Sequence, residues 1–522
     1  MQWDQGDPEA DQGEGTRTRK ALKELALKPP AKPVIVAVLD SGVDIAHQDL
    51  AERIWINVAE QTGLSGSDDD HNGYVDDLHG WNFLGSRDGT RQVGACTLEV
   101  TREYVRLIAA KAAGTLPESD DPYLTKVRQM YFRKRQQAIR EFQMIAIMGL
   151  QYDQMLGELQ MLGLTETTPE AIAALVEREP KTQGAALQIQ RLRARGLKGE
   201  ELPRMMQEMF SALQHHYDLR FDPSAVIGDD PDRLDERDYG NGRVAVAEAY
   251  HGTHVAGIIA AIRDNGLGID GQCDWVRIMA VVVVPDGDER DKDVANGIRY
   301  AVDNGARIIN ASFGKPLSPQ LAAVEAAVRY AEDKGVLIVH AAGNDAQDND
   351  GGDNYPSPLM RSGGQLHRAS NWIEVGASTQ TAGIELVAEF SSYGRQTVDI
   401  FAPGVAIRST IPGNGYSETQ GTSMAAPEVA GVAALVWSQY PQLTAAELRA
   451  VLLTTARTYP DLQVRKPGTE RQLVALGDLC LSGGIVDAYA ALRYLAANQG
   501  KVLAEDLERV RRLTAQAEQP AP

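Results

Sequence analysis

Residues 250–257, YHGTHVAG, set two imidazoles three positions apart in a chain with only nine histidines. Two histidines at i and i+3 can face one way on a helix. Zinc sites on helices, however, use i and i+4 with a glutamate between them. Gly252 and Thr253 intervene here, so the pair lacks the glutamate between its histidines that such a site uses. The other reading is a general base beside a structural histidine, and that base needs a nucleophile and a carboxylate to orient its ring. Residues 39–44, LDSGVD, place Asp40 at the end of an apolar run, as an orienting carboxylate, a strand-end cap or a metal ligand. Residues 421–427, GTSMAAP, place Ser423 at the start of a small-residue helical pattern. Free N–H groups and the helix dipole favour a developing negative charge at such a point, although a plain N-cap serine fits the pattern too. Residues 341–344, AAGN, end in Asn344 just after another apolar run, as a turn residue or an amide donor to an oxyanion.

A different chemistry is suggested by residues 68–77, DDDHNGYVDD. Asp68, Asp70, Asn72 and Asp76 fall at positions 1, 3, 5 and 9 of the loop, with Gly73 at 6. That is the spacing of a calcium-binding EF-hand loop without its terminal Glu, and a solvated acidic turn is the alternative. Asp49 is counted with this ligand set. A second acidic stretch, 228–238, reads equally as an ion site or a solvated loop.

The elements that must hold these side chains are legible. Residues 34–39 (VIVAVL) form a continuous β-branched run, the pattern of a strand buried on both faces of a parallel sheet. Similar runs occur at 278–284, 307–310, 336–340, 373–375 and 398–401, with helix-like stretches such as 293–304 and 318–334 between several of them. This alternation predicts an α/β fold with a doubly wound, mostly parallel sheet and its site at the carboxyl ends of the strands. Residues 101–220 break the rhythm. From 126 to 164 the apolar residues follow helical spacing, Thr168-Pro169 starts another helix, and two more are expected near 182–195 and 199–218. The methionines here suit core filling better than a peptide-binding surface.

Asp40, His251 and Ser423 follow one another along the chain in the order of the subtilisins, unlike that of chymotrypsin or the α/β-hydrolases. With VAVLDSGVD, HGTHVAGIIAA, IINASFG, AAGN and GTSMAAPEVAG, the sequence resembles the subtilisin-like serine proteases (subtilases) over about 34–100 and 226–495. The resemblance implies a serine endopeptidase acting through an acyl-enzyme. Ser423 would be the nucleophile, His251 the base and Asp40 its orienting partner, with Asn344 and the Ser423 N–H forming the oxyanion hole. It further implies that Ser312, Phe313 and Gly314 pair with extended substrate, and that Ala341, Ala342 and Gly343 wall the P1 pocket. Such small residues leave room for a large apolar side chain. Structural calcium is implied, with no organic cofactor. His254 is expected to be buried on the helix that carries His251.

The segments expected are an N-terminal arm and short helix over 1–33, with 1–15 disordered, and catalytic parts over 34–100 and 226–498. A helical insertion spans 101–225, close to the active-site rim, and a C-terminal helix and tail span 499–522. With 52 basic against 72 acidic residues, the net charge of −20 argues against general nucleic-acid or anionic-membrane binding. Polypeptide substrates are the expected partners, and the insertion is a candidate surface for a protein partner. The three widely spaced cysteines exclude a disulfide framework and CxxC chemistry, and no apolar run is long enough to span a membrane. An extracellular or envelope protein whose export signal has been removed is expected, with a cytoplasmic protein as the alternative.

Overall fold

The computed structural model describes residues 2–11, 13–166, 168–194, 202–362 and 365–517. The chain forms two compact units, one of Met1–Gly94 with Asp222–Pro522 and one of Ala95–Phe221.

The first unit is an α/β fold. Its sheet is built from β1 (Val34–Asp40), β2 (Gly80–Asn82), β3 (Val276–Val282), β4 (Ile308–Ala311), β5 (Leu337–Ala341), β6 (Trp372–Ser378), β7 (Ile400–Pro403), β8 (Arg457–Thr458) and β9 (Gly484–Ile485). The strand order is β8-β9-β7-β6-β5-β4-β1-β3-β2. All neighbours are parallel except β8 and β9 at one edge. The central strands lie where uninterrupted apolar runs predict them, because a strand covered by helices on both faces has no solvent side to keep polar. All but Ile35 of β1 is buried, as is all of β5.

Four helices matter to the site or the layers around it: α1 (Tyr250–Ala260), α2 (Asp291–Asp303), α3 (Leu321–Asp333) and α4 (Thr422–Gln439). Helix α4 crosses beneath the middle of the sheet and also packs on α1. It is small and apolar on every side, and Ser423 and Gln439 are its only residues that are not buried. A helix apolar all round belongs at the centre of a domain. Pro427 sits in its second turn and cannot donate to the Ser423 carbonyl, which accepts from Ser312 Oγ at 3.1 Å instead.

Residues 2–15, expected to be disordered, instead pack onto this unit wherever they are described. Gln2 and Gln5 donate to the Asp270 carbonyl at 3.1 and 2.6 Å, and Asp4, Gln5 and Glu14 are buried. Polar composition had suggested a solvated tail, but here Gln2, Gln5 and Glu14 find fixed partners. The short helix Thr18–Glu24 follows, and Arg17 beside it pairs with Asp487 at 2.9 Å.

The second unit is helical throughout its named elements. Its longest helix, Asp121–Met161, buries Tyr152, Met155 and Leu159 against Ile172, Leu175 and Ile189. Thr168 caps the next helix, Pro169–Arg178, by accepting from Ala171 N at 3.2 Å. Of the methionines, Met155 fills the core whereas Met144 and Met161 are exposed. The two later helices run over Gln183–Ala194 and Leu202–His215, and the expected span between them lies outside the described residues, as does the end of the chain from 518.

Candidate active site

Asp40 ends β1 at 1% exposure and is reached by the first turn of α1. His251 Nδ1 donates to its carboxylate at 2.8 and 3.0 Å, and Ser41 N donates to Oδ1 at 2.7 Å. Gly252 makes the approach possible: a Cβ there would stand 2.2 Å from the Gly42 carbonyl and 3.1 Å from Asp40 Cβ. Burial by itself would depress the His251 pKa, but the charge of Asp40 and its hydrogen bond outweigh that and raise it above the ordinary 6.5. The other face of the ring remains partly exposed, with 39% of the side chain accessible.

His254, one turn on, is fully buried, and its Nε2 lies 3.1 Å from the Ser417 carbonyl. Burial pulls its pKa down to about 4, so the ring is neutral at pH 7. The two imidazoles therefore have separate partners and do not converge on a shared ligand.

Ser423 stands at the exposed first turn of α4. Its Oγ donates to the Ser312 carbonyl at 3.1 Å, and Ser312 Oγ donates back to the Ser423 carbonyl at 3.1 Å. The hydroxyl thus rests on the segment after β4 in this structure. Asn344, after β5, accepts from Thr422 N at 2.8 Å and Thr422 Oγ1 at 3.1 Å, which orients its carboxamide and leaves Nδ2 as the outward donor. Gly421 adopts φ 152°, and a Cβ there would lie 3.5 Å from Asn344 Nδ2 and 3.6 Å from Ser423 N. The Asn344 carboxamide and the Ser423 N thus flank the same spot at contact distance.

Ser312 and Phe313 are buried and Gly314 is exposed. Ala341 and Ala342 are core residues; Ala342 packs with Leu386, Val387 and Tyr393, and only Gly343 of the expected P1 wall reaches the surface. The Ala342 carbonyl accepts from Asn349 Nδ2 at 2.8 Å and Asn354 Nδ2 at 3.1 Å. Asn354 and Thr422 are site residues that the sequence reading missed. Thr422 is adjacent to a named motif, but Asn354 has no local signal.

The acidic loop gathers differently from its EF-hand spacing. The carboxylates of Glu60, Asp70 and Asp77 bring oxygens within 4.8 Å of one another, the one such acidic group among the described residues. Of the expected ligands only Asp70 belongs to it. Asp68 accepts from Asn72 N and Gly73 N, and Asp76 from Gly66 N, so both shape the loop. Asn72 donates through Nδ2 to Asp70 and Asp77, supporting the carboxylates. Asp49 belongs elsewhere: Asn265 Nδ2 and Tyr416 OH donate to its oxygens at 2.6 and 3.1 Å. Loop spacing missed Glu60 because it comes from the preceding helix, Val58–Thr62. Burial, with some help from the charge of Asp70, pushes the Asp77 carboxyl up to about 6. Three crowded carboxylates, two of them buried, form an all-oxygen donor set suited to a hard divalent cation. In the stretch 228–238, two of the acidic side chains are held in ion pairs rather than solvated. Asp229 pairs with Arg290 and Lys292, and Glu236 with Lys292.

A parallel α/β sheet that sets a carboxylate–imidazole pair and a helix-start serine at its strand ends has the architecture of a hydrolase. Residues 31–475 match the model of the subtilase family, and the chain belongs to that family. It is 38% identical over 248 residues to alkaline elastase YaB of Bacillus sp. (strain YaB), covering 47% of this chain and 57% of the relative. Against Subtilisin Savinase of Lederbergia lenta it is 38% identical over 245 residues, covering 47% and 77%. Among solved structures, a protease from Pseudoalteromonas arctica PAMC 21717 is 30% identical with a TM-score of 0.38, over 47% of this chain and 70% of that one. The chain spans little more than half the length of the first curated relatives, 57% of the elastase and 55% of the M-protease of Shouchella clausii.

Proposed function

We propose that the chain is a serine endopeptidase that hydrolyses peptide bonds of polypeptide substrates through an acyl-enzyme. Ser423 Oγ leaves its Ser312 acceptor and attacks the scissile carbonyl, its proton passing to His251 Nε2. The charged imidazole then gives that proton to the leaving amine. Asp40 fixes the Nδ1–H tautomer and stabilises the imidazolium, and its charge raises the pKa of His251. Asn344 Nδ2 and the Ser423 N–H receive the oxyanion; removing such a side-chain donor costs about 100–1000-fold in kcat. The observation that carries the reading is the 2.8 Å His251–Asp40 hydrogen bond, which orients the imidazole as a general base. Extended substrate pairs with 312–314 by strand addition.

Glu60, Asp70 and Asp77 would hold a calcium ion, whose charge would neutralise their mutual repulsion and brace the loop. Among the described residues no helix is long and apolar enough to cross a membrane, and an extracellular or envelope setting suits a calcium-braced peptidase. A fluorophosphonate probe tests the chemistry. The folded protein should gain one adduct, mapped by peptide mass to Ser423 and lost in Ser423→Ala. An unlabelled protein that still cleaves peptides would sink the proposal.

A further inference from the structure

We propose that the exposed face of the helix Asp121–Met161 is the contact between two copies of this chain, whose helices pack through it antiparallel to form a dimer. The contact lies wholly within the helical insertion and is independent of the peptidase chemistry.

This helix buries one side, with Val127, Tyr131, Tyr152 and Leu159, and leaves the opposite side in solvent. On the solvent side Gln129, Phe132, Gln136, Gln143, Ile147 and Leu150 follow one another at steps of three, four, seven, four and three residues. Such steps keep side chains in one stripe along a helix of 3.6 residues per turn, the seam that a coiled coil uses. All six are exposed, Ile147 at 56% and Leu150 at 70%. None is charged, whereas a helix face made only for water carries charged residues. The stripe continues to Met161, which makes it about 48 Å long from Gln129.

The charge along the helix indicates what covers the seam. Six basic residues and no acidic one fall within 122–140, and three acidic residues and no basic one within 141–161. Arg128 and Arg133 flank the seam in the first half, Asp153 and Glu158 in the second, and all four are exposed. A fitting partner helix presents acidic groups to the first half and basic groups to the second. A second copy running the opposite way does so. A two-fold axis near the helix midpoint sets Arg128 and Arg133 level with Asp153 and Glu158 of the second copy, at both ends at once. Parallel pairing would instead lay basic half on basic half. Glutamines make up half of the six seam residues, and polar seam positions cost stability, so the association is weak and reversible.

Sedimentation velocity of the whole chain tests the contact. Wild type should be a dimer at about 100 µM in low salt, dissociate on dilution, and associate at least about fivefold more weakly in about 0.5 M NaCl, where charge pairs are screened. Ile147→Glu combined with Leu150→Glu, both at exposed positions, should be monomeric at every concentration with its circular dichroism unchanged. Disulfide trapping under mild oxidation reads the direction of the helices, because the native cysteines are buried. An equimolar mixture of Gln129→Cys and Gln154→Cys proteins should give the crossed dimer, and neither protein alone should crosslink. A wild type that stays monomeric at the highest concentration, or a dimer that survives the double substitution, overturns the proposal. So does crosslinking of either cysteine variant with itself, the mark of parallel helices.

Discussion

Helix α4 of the catalytic unit and the helix Asp121–Met161 of the insertion bury their apolar residues in opposite ways. Helix α4 is buried along its length and opens only at Ser423 and Gln439, near its two ends. The insertion helix is 41 residues long yet buries only Leu124, Val127, Tyr131, Gly149, Tyr152, Met155 and Leu159. Phe132, Met144, Ile147 and Leu150 on the same helix remain exposed. The charge differs as well: the insertion is nearly balanced between acidic and basic residues, so the acidic excess belongs to the catalytic unit. A site that must hold hydrogen-bonding groups within a few tenths of an ångström needs enclosed supports whose rotamers have no alternatives. The insertion instead buries short stretches of its helices, around Leu107, Val127 and Tyr131 and in the cluster of Tyr152, Leu159 and Ile172.

The sharpest way to set the two apart is His251→Ala. It should cut kcat on a short peptide by roughly 10⁴-fold or more, while hydrogen exchange in the insertion stays as in wild type. The complementary change, Leu159→Ala, removes a side chain at 1% exposure from the insertion cluster. It should lower the local stability of those helices by about 2–5 kcal/mol, read by exchange, with kcat/KM on the same peptide unchanged. A tenfold loss of turnover there would show that the insertion supports the site and would break the contrast.

A pH series comes next. His254 has its pKa pulled from 6.5 to about 4, so the unfolded chain takes up its proton first as pH falls. Stability of the catalytic unit should be full above pH 6.5 and decline towards pH 4, by on the order of 3 kcal/mol from this group. Denaturant melts of His254→Gln should be flatter over that window. The raised pKa of His251 acts on turnover instead: only the neutral ring accepts the serine proton, so kcat/KM should fall as pH drops through a value above 6.5. The smallest effect expected is that of calcium. A chelator should lower the melting temperature of the catalytic unit by several degrees, and Glu60→Gln should remove most of that response. An insertion that melts earlier with chelator while the catalytic unit does not would place the ion elsewhere.

Much of the site was legible because its residues sit in short, self-contained motifs. Asp40, His251 and Ser423 each lie at an element end whose apolar pattern is local. The misses share a cause. Glu60 and Asp77 join Asp70 across a helix and a loop, whereas the EF-hand spacing assumes a single loop. Asp49 looked like a spare carboxylate until Asn265 and Tyr416, more than 200 residues away in the chain, were seen to bind it. Asp229 and Glu236 read as a solvated run because nothing in their own segment reveals Arg290 and Lys292 beneath them. The acidic N-terminal arm is ordered for the same reason.

The sequence by itself determined the sheet, the helical insertion and the side chains competent for acid–base and nucleophilic chemistry. Periodicity and element-end chemistry are properties of contiguous residues, and they survive without knowledge of the fold. Only the tertiary structure decided which carboxylates gather, that the Ser417 carbonyl meets His254, and that Arg290 and Lys292 pair with Asp229 and Glu236. Those outcomes depend on distances between segments far apart in the chain, and they are fixed only when packing brings the segments together.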